Sequence, residues 1–285
     1  MGRPLSLPKL DIPQLLRQYG LRPKKSLGQN FLLDEAALNQ VVAAAQLTSQ
    51  DDVLEIGAGL GSLTRQLAIT AHSVVAVEVD ARLIPALNHV VGKFDNVRVV
   101  QGDILSLDPG KLFPSSPYLV VANIPYYITS ALIRHLLESS NPPHRFVLTL
   151  QKEVAERICA LPGKLSLLAL SLQVYGQPEI VAHIPAGAFY PAPKVDSSIL
   201  RVELFSTPLI PSADLEEFFR LIKAGFSQKR KTLRNALAGG MHLSPKTIET
   251  LLINAGIDPK RRAETLNLPE WNRLTSIYKH GKSFD

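Results

Sequence analysis

Asn123-Ile124-Pro125-Tyr126-Tyr127 is the stretch of this 285-residue chain whose residue types could carry chemistry. A side-chain amide oxygen beside a main-chain carbonyl can accept both hydrogens of an exocyclic amine. Proline brings no N–H and a fixed φ, so it holds the turn. A tyrosine ring can stack on a base. Together these groups suit the holding of a nucleobase amine for reaction. The apolar run before them, residues 118–122, reads as a buried parallel strand. A helix is predicted from Thr129-Ser130, which look like capping residues. The five residues therefore fall at the carboxyl end of a strand, where open α/β sheets bind ligands.

Two earlier strand ends carry matching signals. Residues 52–56 read as a short strand running into Gly57-Ala58-Gly59-Leu60-Gly61, with a helix predicted over 62–69. Strand, glycine turn and helix open a nucleotide-binding βαβ unit, and the glycines let the backbone turn tightly and approach a ligand. Ser62 stands where a dinucleotide fingerprint wants its last glycine, which argues for another adenosine-bearing ligand. The next strand, 73–80, ends near Glu78, an acid placed to accept both ribose hydroxyls. Residues 97–101 form a third strand that ends at Gly102-Asp103, where a carboxylate could accept an adenine amino hydrogen or simply cap a turn. Upstream, Gly28 marks a turn before Asn30, Phe31 and Leu32; this segment either caps the helix predicted over 34–45 or closes over a ligand.

The remaining pattern supplies supporting elements. A short helix is expected around residues 12–19 and others over 82–91, 129–138, 152–160 and 164–175. Strands are expected over 145–150, 179–184 and 197–204, and the short connection between the last two suggests that one of them enters antiparallel. That connection, Phe189-Tyr190-Pro191-Ala192-Pro193-Lys194-Val195-Asp196-Ser197, is held extended by its prolines. Phe189 either forms the second wall of a base pocket or packs in the core. Ser206-Thr207-Pro208 and Pro211-Ser212 read as a linker. Beyond it the pattern is wholly helical, over 214–224, 244–255 and 269–278. The cluster Lys229-Arg230-Lys231, with Arg234, is a candidate phosphate contact, against the alternative of a solvated helix face.

Composition narrows the class. At 46% hydrophobic and 20% charged the chain can bury a sizeable core. A single cysteine, Cys159, excludes an internal disulfide and a Cys-based zinc cluster, suits a reducing cytoplasm, and reads as structural. No apolar run approaches a membrane span, no secretory signal is evident, and no metal-ligand constellation stands out. The net charge of +6 is uneven. Residues 1–31 and 206–285 each carry +5, leaving the centre at −4. Basic ends around a mildly acidic centre point to a polyanionic partner, with Lys24 and Lys25 as further contacts.

These motifs are similar to those of one family. Ser26-Leu27-Gly28-Gln29-Asn30-Phe31-Leu32, Glu55 through Gly61, Glu78-Val79-Asp80, Gly102-Asp103, the Asn123 motif and Phe189 through Ser197 fall in the order and spacing of the KsgA/RsmA-type ribosomal RNA adenine dimethyltransferases, within the KsgA/Erm/Dim group. The resemblance implies a Rossmann-like α/β methyltransferase sheet with helices on both faces, plus a small all-helical C-terminal domain. It implies a basic extension over 1–25, a catalytic domain over 26–206 and an RNA-binding helical domain over 207–285. It implies S-adenosylmethionine (SAM) as methyl donor, held by Asn30, Leu32, Gly57, Gly59, Glu78, Asp103 and Asn123. The substrate implied is a pair of adjacent adenosines in the hairpin loop near the 3′ end of 16S rRNA, in an immature small subunit, each methylated twice at N6. Asn123 and Ile124 would accept the amine hydrogens, Pro125 would hold the turn, and Tyr126 and Phe189 would stack on the base. A monomer is the default expectation. Rival readings are an Erm-type enzyme acting on large-subunit rRNA and a non-catalytic ribosome-assembly or transcription factor on the same fold. A nicotinamide oxidoreductase is disfavoured by Ser62.

Overall fold

The structure is a computed structural model and describes residues 7–114 and 116–281. Its elements in chain order begin with α1 (Ile12–Gln18), β1 (Phe31–Leu32), α2 (Glu35–Ala45), β2 (Asp52–Ile56) and α3 (Ser62–Thr70). Then follow β3 (Ser73–Glu78), α4 (Ile84–Val91), β4 (Val97–Gln101), β5 (Tyr118–Asn123), α5 (Thr129–Leu137) and β6 (Arg145–Gln151). The chain continues through α6 (Lys152–Ile158), α7 (Leu167–Gln173), β7 (Gly176–Ile184), β8 (Phe189–Tyr190) and β9 (Ser197–Leu204). It closes with α8 (Leu215–Phe226), α9 (Leu233–Met241), α10 (Pro245–Asn254) and α11 (Leu268–Gly281).

Seven strands form one sheet in the order β4-β3-β2-β5-β6-β9-β7. The pairs β3–β4, β2–β3, β2–β5 and β5–β6 are parallel, and β9 enters antiparallel beside β6. The antiparallel entrant is thus the strand after the Pro-rich connection. Both alternations of the central strands are buried: Val53, Leu119, Val121 and Val147 on one face, Leu54, Val120, Phe146 and Leu148 on the other. The sheet is therefore covered on both sides, which is why its strands read as unbroken apolar runs. The order reverses between β2 and β5, so the crevice of the sheet opens above the carboxyl ends of those two strands.

Local chemistry explains several ends. The Asp34 carboxylate accepts the Ala37 N–H at 2.8 Å and starts α2. Ser166 does the same for α7 and Ser244 for α10, where Pro245 occupies the first turn. The expected cap at Thr129-Ser130 is different. A turn of 3₁₀ helix over Tyr126–Ile128 precedes α5, and the Thr129 hydroxyl donates back to the Tyr126 carbonyl at 3.1 Å. The tight turn after Pro125 leaves no extended residue to act as a cap, so the hydroxyl closes the turn instead.

The chain divides into two compact units, and the division departs from the expected boundary near 206. Residues 156–177 group with those from 205 onward, while 178–204 belong with the sheet. The cause is the apolar face of α7: Ala169, Leu170 and Val174 lie in the same buried cluster as Phe218, Leu221, Leu237 and Trp271. A linker signal in sequence marks where the chain is polar, not which helix face finds apolar partners. The expected basic extension over 1–25 also has more structure than its composition suggests. Ile12, Leu15 and Leu16 of α1 are buried in a cluster with Phe31, Leu60 and Leu83. Residues 1–6, with Arg3, lie outside the described residues. Cys159 is half-buried. No helix among the described residues is long and apolar enough to cross a membrane.

Candidate active site

Register places the expected site residues in one row. Ile56 pairs with Val77 on one side and Ala122 on the other, so Gly57, Glu78 and Asn123 are the next residues at three adjacent strand ends. They line a cleft with Leu27, Asn30, Leu32, Gly59, Ile124, Pro125 and Tyr126, among others. The cleft encloses about 760 Å³ of empty space, part of it open to solvent.

The glycine loop is built for close approach. Gly59 has φ +59°, and a Cβ there would stand 3.1 Å from the Phe31 ring. Its N–H donates to Glu78 Oε2 at 2.8 Å, while Glu78 Oε1 accepts from the Asp80 N–H at 2.8 Å. Glu78 is buried, and burial pushes its carboxyl above the ordinary range despite these two bonds. Each of its oxygens retains a lone pair. A carboxylate held in this way, next to a backbone stripped of Cβ atoms, fits the paired hydroxyls of a ribose, and so fits an adenosine-bearing donor such as SAM.

Over this loop lies the segment 24–32. Gly28 has φ +60°, and a Cβ there would come within 2.9 Å of the Pro125 Cβ, so only glycine lets the segment lie against the motif. Gln29 Nε2 donates to Asp80 Oδ2 at 3.0 Å and its Oε1 accepts the Lys24 N–H at 2.7 Å. Asp80 also pairs with Arg82 and with Lys24, and the Arg82 guanidinium holds its carboxyl well below the usual range. β1 pairs antiparallel with β8, Phe31 opposite Tyr190 and Leu32 opposite Phe189. Two motifs separated by about 160 residues of sequence are thereby one structural unit.

The decisive contact joins that segment to the Asn123 motif. Asn123 Nδ2 donates to the Asn30 main-chain oxygen at 3.0 Å. The amide nitrogen is committed, so the amide oxygen is the free acceptor of the half-buried side chain. Asn30 contributes its carbonyl to this bond, while its side chain donates to the Gly28 carbonyl at 3.2 Å. The Ile124 N–H is taken by the Thr149 carbonyl at 3.3 Å. Tyr126 is half-buried, its hydroxyl 2.8 Å from Ser197 Oγ. Burial raises the phenol's pKa, so the group stays neutral. Tyr126→Phe is expected to keep the ring but orphan the buried Ser197 hydroxyl. Stability should fall by about 1–2 kcal/mol in urea denaturation, with kcat reduced less than tenfold.

Two expectations need correction. Phe189 does not line the cleft: it is 4% exposed and lies in the buried cluster of Leu32, Val41 and Ile184. Pairing of β8 with β1 turns its ring inward, so it supports the cleft's roof and offers no stacking face. Asp103 follows the edge strand β4, beside β3, and is exposed, with its Oδ1 accepting the Leu105 N–H at 3.0 Å. Among the basic residues, Lys229, Arg230 and Lys231 are exposed in the turn between α8 and α9, not on a helix face. Arg234 is half-buried and pairs with Glu249 at 2.9 Å, pinning α9 to α10. Lys24 stands 3.7 Å from Asp80, and Lys25 is exposed.

Sequence reasoning passed over two residues. Ser197 ends the Phe189 motif, and only the meeting of that motif with Tyr126 reveals its role. Glu55 opens the glycine-loop motif and lines the cleft, buried beside Glu78. Its signal in sequence was a charged residue inside an otherwise apolar strand.

Comparison with known proteins fits this geometry. A family model described as ribosomal RNA adenine dimethylase matches residues 20–280. Ribosomal RNA small subunit methyltransferase A from Dehalococcoides mccartyi (strain BAV1) is 44% identical over 98% of both chains. The protein of that name from Bacillus pumilus is 39% identical over 97% of this chain and 98% of its own. Among solved structures, the 23S rRNA methyltransferase ErmE superposes with TM-score 0.72 at 29% identity, covering 88% of this chain and all of its own. A dimethyladenosine transferase from Plasmodium falciparum superposes with TM-score 0.75 at 26% identity, covering 88% and 98%.

Proposed function

Because the chain belongs to the ribosomal RNA adenine dimethylase family, we propose that it transfers methyl groups from SAM to N6 of two adjacent adenosines in the 3′-terminal hairpin loop of 16S rRNA. Each adenosine would be methylated twice. The proposed setting is the cytoplasm, on an immature small subunit, with the chain acting as a monomer. One observation supports the chemistry most directly: the Asn123 amide is anchored through nitrogen to Asn30 and keeps its oxygen free beside the glycine loop.

The N6 lone pair of adenine is delocalised into the ring and is a poor nucleophile. Asn123 Oδ1 and the Ile124 carbonyl accept the two N6 hydrogens, which draws the nitrogen toward tetrahedral geometry and frees its lone pair. Pro125, with no N–H to compete, fixes the direction of the Ile124–Tyr126 turn. Tyr126 stacks on the extruded base, a contact of about 1–3 kcal/mol in related stacking sites. Glu78 holds the donor's ribose, and Asn30 holds the catalytic amide in its rotamer. Leu32 and the rest of segment 24–32 exclude water from above. SAM supplies an electrophilic methyl group on a sulfonium. No strong base is required, because the amine becomes acidic once alkylated and its proton leaves to solvent. Catalysis is then alignment plus electrostatics.

Incubation with labelled SAM and unmodified ribosomal subunits tests the reading. Label should enter the small subunit alone, at two adjacent N6,N6-dimethyladenosines. Label in the large subunit would favour the Erm-type reading, which the likeness to ErmE keeps in play. The turn Lys229-Arg230-Lys231 is the proposed phosphate contact of the helical unit. Replacing all three with alanine should lower the slope of log affinity against log salt by up to about 2–3, since each phosphate contact contributes roughly 0.7–0.9. Filter binding at several salt concentrations measures it.

A further inference from the structure

Tyr126 and Tyr127 are consecutive in the chain but differently placed. They open the turn of 3₁₀ helix over Tyr126–Ile128, in which successive side chains stand about 120° apart. Tyr126 lines the cleft, its hydroxyl 2.8 Å from Ser197 Oγ. Tyr127 is 66% exposed. Among the described residues its ring packs on no other aromatic and its hydroxyl makes no hydrogen bond. A ring left this bare contributes little to the fold, because burial is what makes an aromatic side chain stabilising.

Its neighbours relate it to the RNA. Tyr127 Cε1 lies 3.5 Å from where a Cβ on Gly28 would stand, and Pro125 Cβ lies 2.9 Å from the same point. One edge of the ring thus rests against Gly28, which itself lines the cleft. Gly28 closes the short turn Lys25–Leu27, its N–H donating to the Lys25 carbonyl at 3.0 Å. Lys25 is exposed on that turn. A bare aromatic face and a cation therefore meet at the rim of the cleft, which is the pairing that grips a single strand by base and phosphate. Two adjacent bases cannot share one pocket. With one drawn in beside Asn123, the next stays at the rim, where an outward ring can receive it. We infer that Tyr127 is the platform on which the second of the two adjacent adenosines stacks while the first is held in the cleft, with Lys25 neutralising the strand's phosphates there. This rests on the proposed reaction at adjacent adenosines. Tyr127 is a positioning residue: it grips the strand equally before and during transfer, so its loss weakens RNA binding and spares the chemical step.

Methylation of unmodified small subunits, varied in concentration at saturating labelled SAM, tests the inference. Tyr127→Ala should raise KM for subunits about 5- to 100-fold, the loss of one base–aromatic stack, with kcat and the Kd for SAM within about twofold of wild type. Tyr127→Phe should restore the wild-type KM, since the ring is what stacks. Subunits carrying uridine in place of one adenosine supply a second arm, because a pyrimidine offers a smaller stacking face. On them wild-type KM should rise several-fold, while that of Tyr127→Ala should hardly move. An unchanged KM in Tyr127→Ala, with wild type methylating normally, would overturn the platform and leave the reaction standing. Wild type that leaves small subunits unmethylated would overturn both. Equal rises in Tyr127→Ala and Tyr127→Phe would place the effect on the hydroxyl, and a matching loss of SAM affinity would place the ring on the donor; either refutes stacking. Should Tyr127→Ala not fold, Tyr127→Gln, which keeps a long side chain without a ring, gives the same readings.

Discussion

Asn123→Ala is expected to lower kcat for methyl transfer by about three orders of magnitude while leaving SAM bound within roughly tenfold of its normal affinity. Losing one preorganised polar group at a reacting centre costs on the order of 10²–10³ in rate. Here the lost oxygen both orients the amine and removes its lone pair from conjugation. The upper end applies because truncation also frees the Asn30 carbonyl, to which the amide is bound at 3.0 Å. Asn123→Asp sharpens the point, since it puts a carboxylate oxygen where Nδ2 now donates and so repels Asn30. Single-turnover assays at saturating SAM and RNA, with calorimetry of SAM alone, separate the two roles. Near-normal turnover in Asn123→Ala would reject the assigned chemistry. A loss of SAM binding as large as the loss of rate would reassign the residue to cofactor binding.

The second large effect is on affinity. Glu78→Ala should weaken SAM binding by about 10²- to 10³-fold. Hydrogen bonds to a charged acceptor are worth about 1.5–3 kcal/mol each, and a ribose offers two. The substitution also orphans the Gly59 and Asp80 N–H groups that the carboxylate now satisfies. Glu78→Gln keeps an acceptor for one of them and should fall between. Equilibrium dialysis with SAM measures both variants, and kcat at saturating SAM should change far less than Kd. An unchanged Kd in Glu78→Ala would remove the ribose assignment.

The pattern of strand ends is legible in the sequence. Residues 118–122 read as a buried strand because both their faces are covered, which leaves no polar alternation to confuse. The row Gly57, Glu78, Asn123 followed from three strand–turn–helix units in a parallel sheet, where every carboxyl end points the same way. Phe189 was ambiguous because an aromatic between prolines suits both a pocket wall and a core. Pairing of β8 with β1, about 160 residues away in the chain, settles it as core.

Residue order alone, then, established the sheet, the place of the cleft along it, and the amide at the carboxyl end of β5. These depend on local periodicity and on short, right-handed connections, which neighbouring residues encode. Which atom of that amide is free, what Tyr126 leans on and where α7 belongs are set by residues brought together from distant parts of the chain. Such contacts form when apolar faces are buried against one another, and no nearby residue specifies the partner of a buried face.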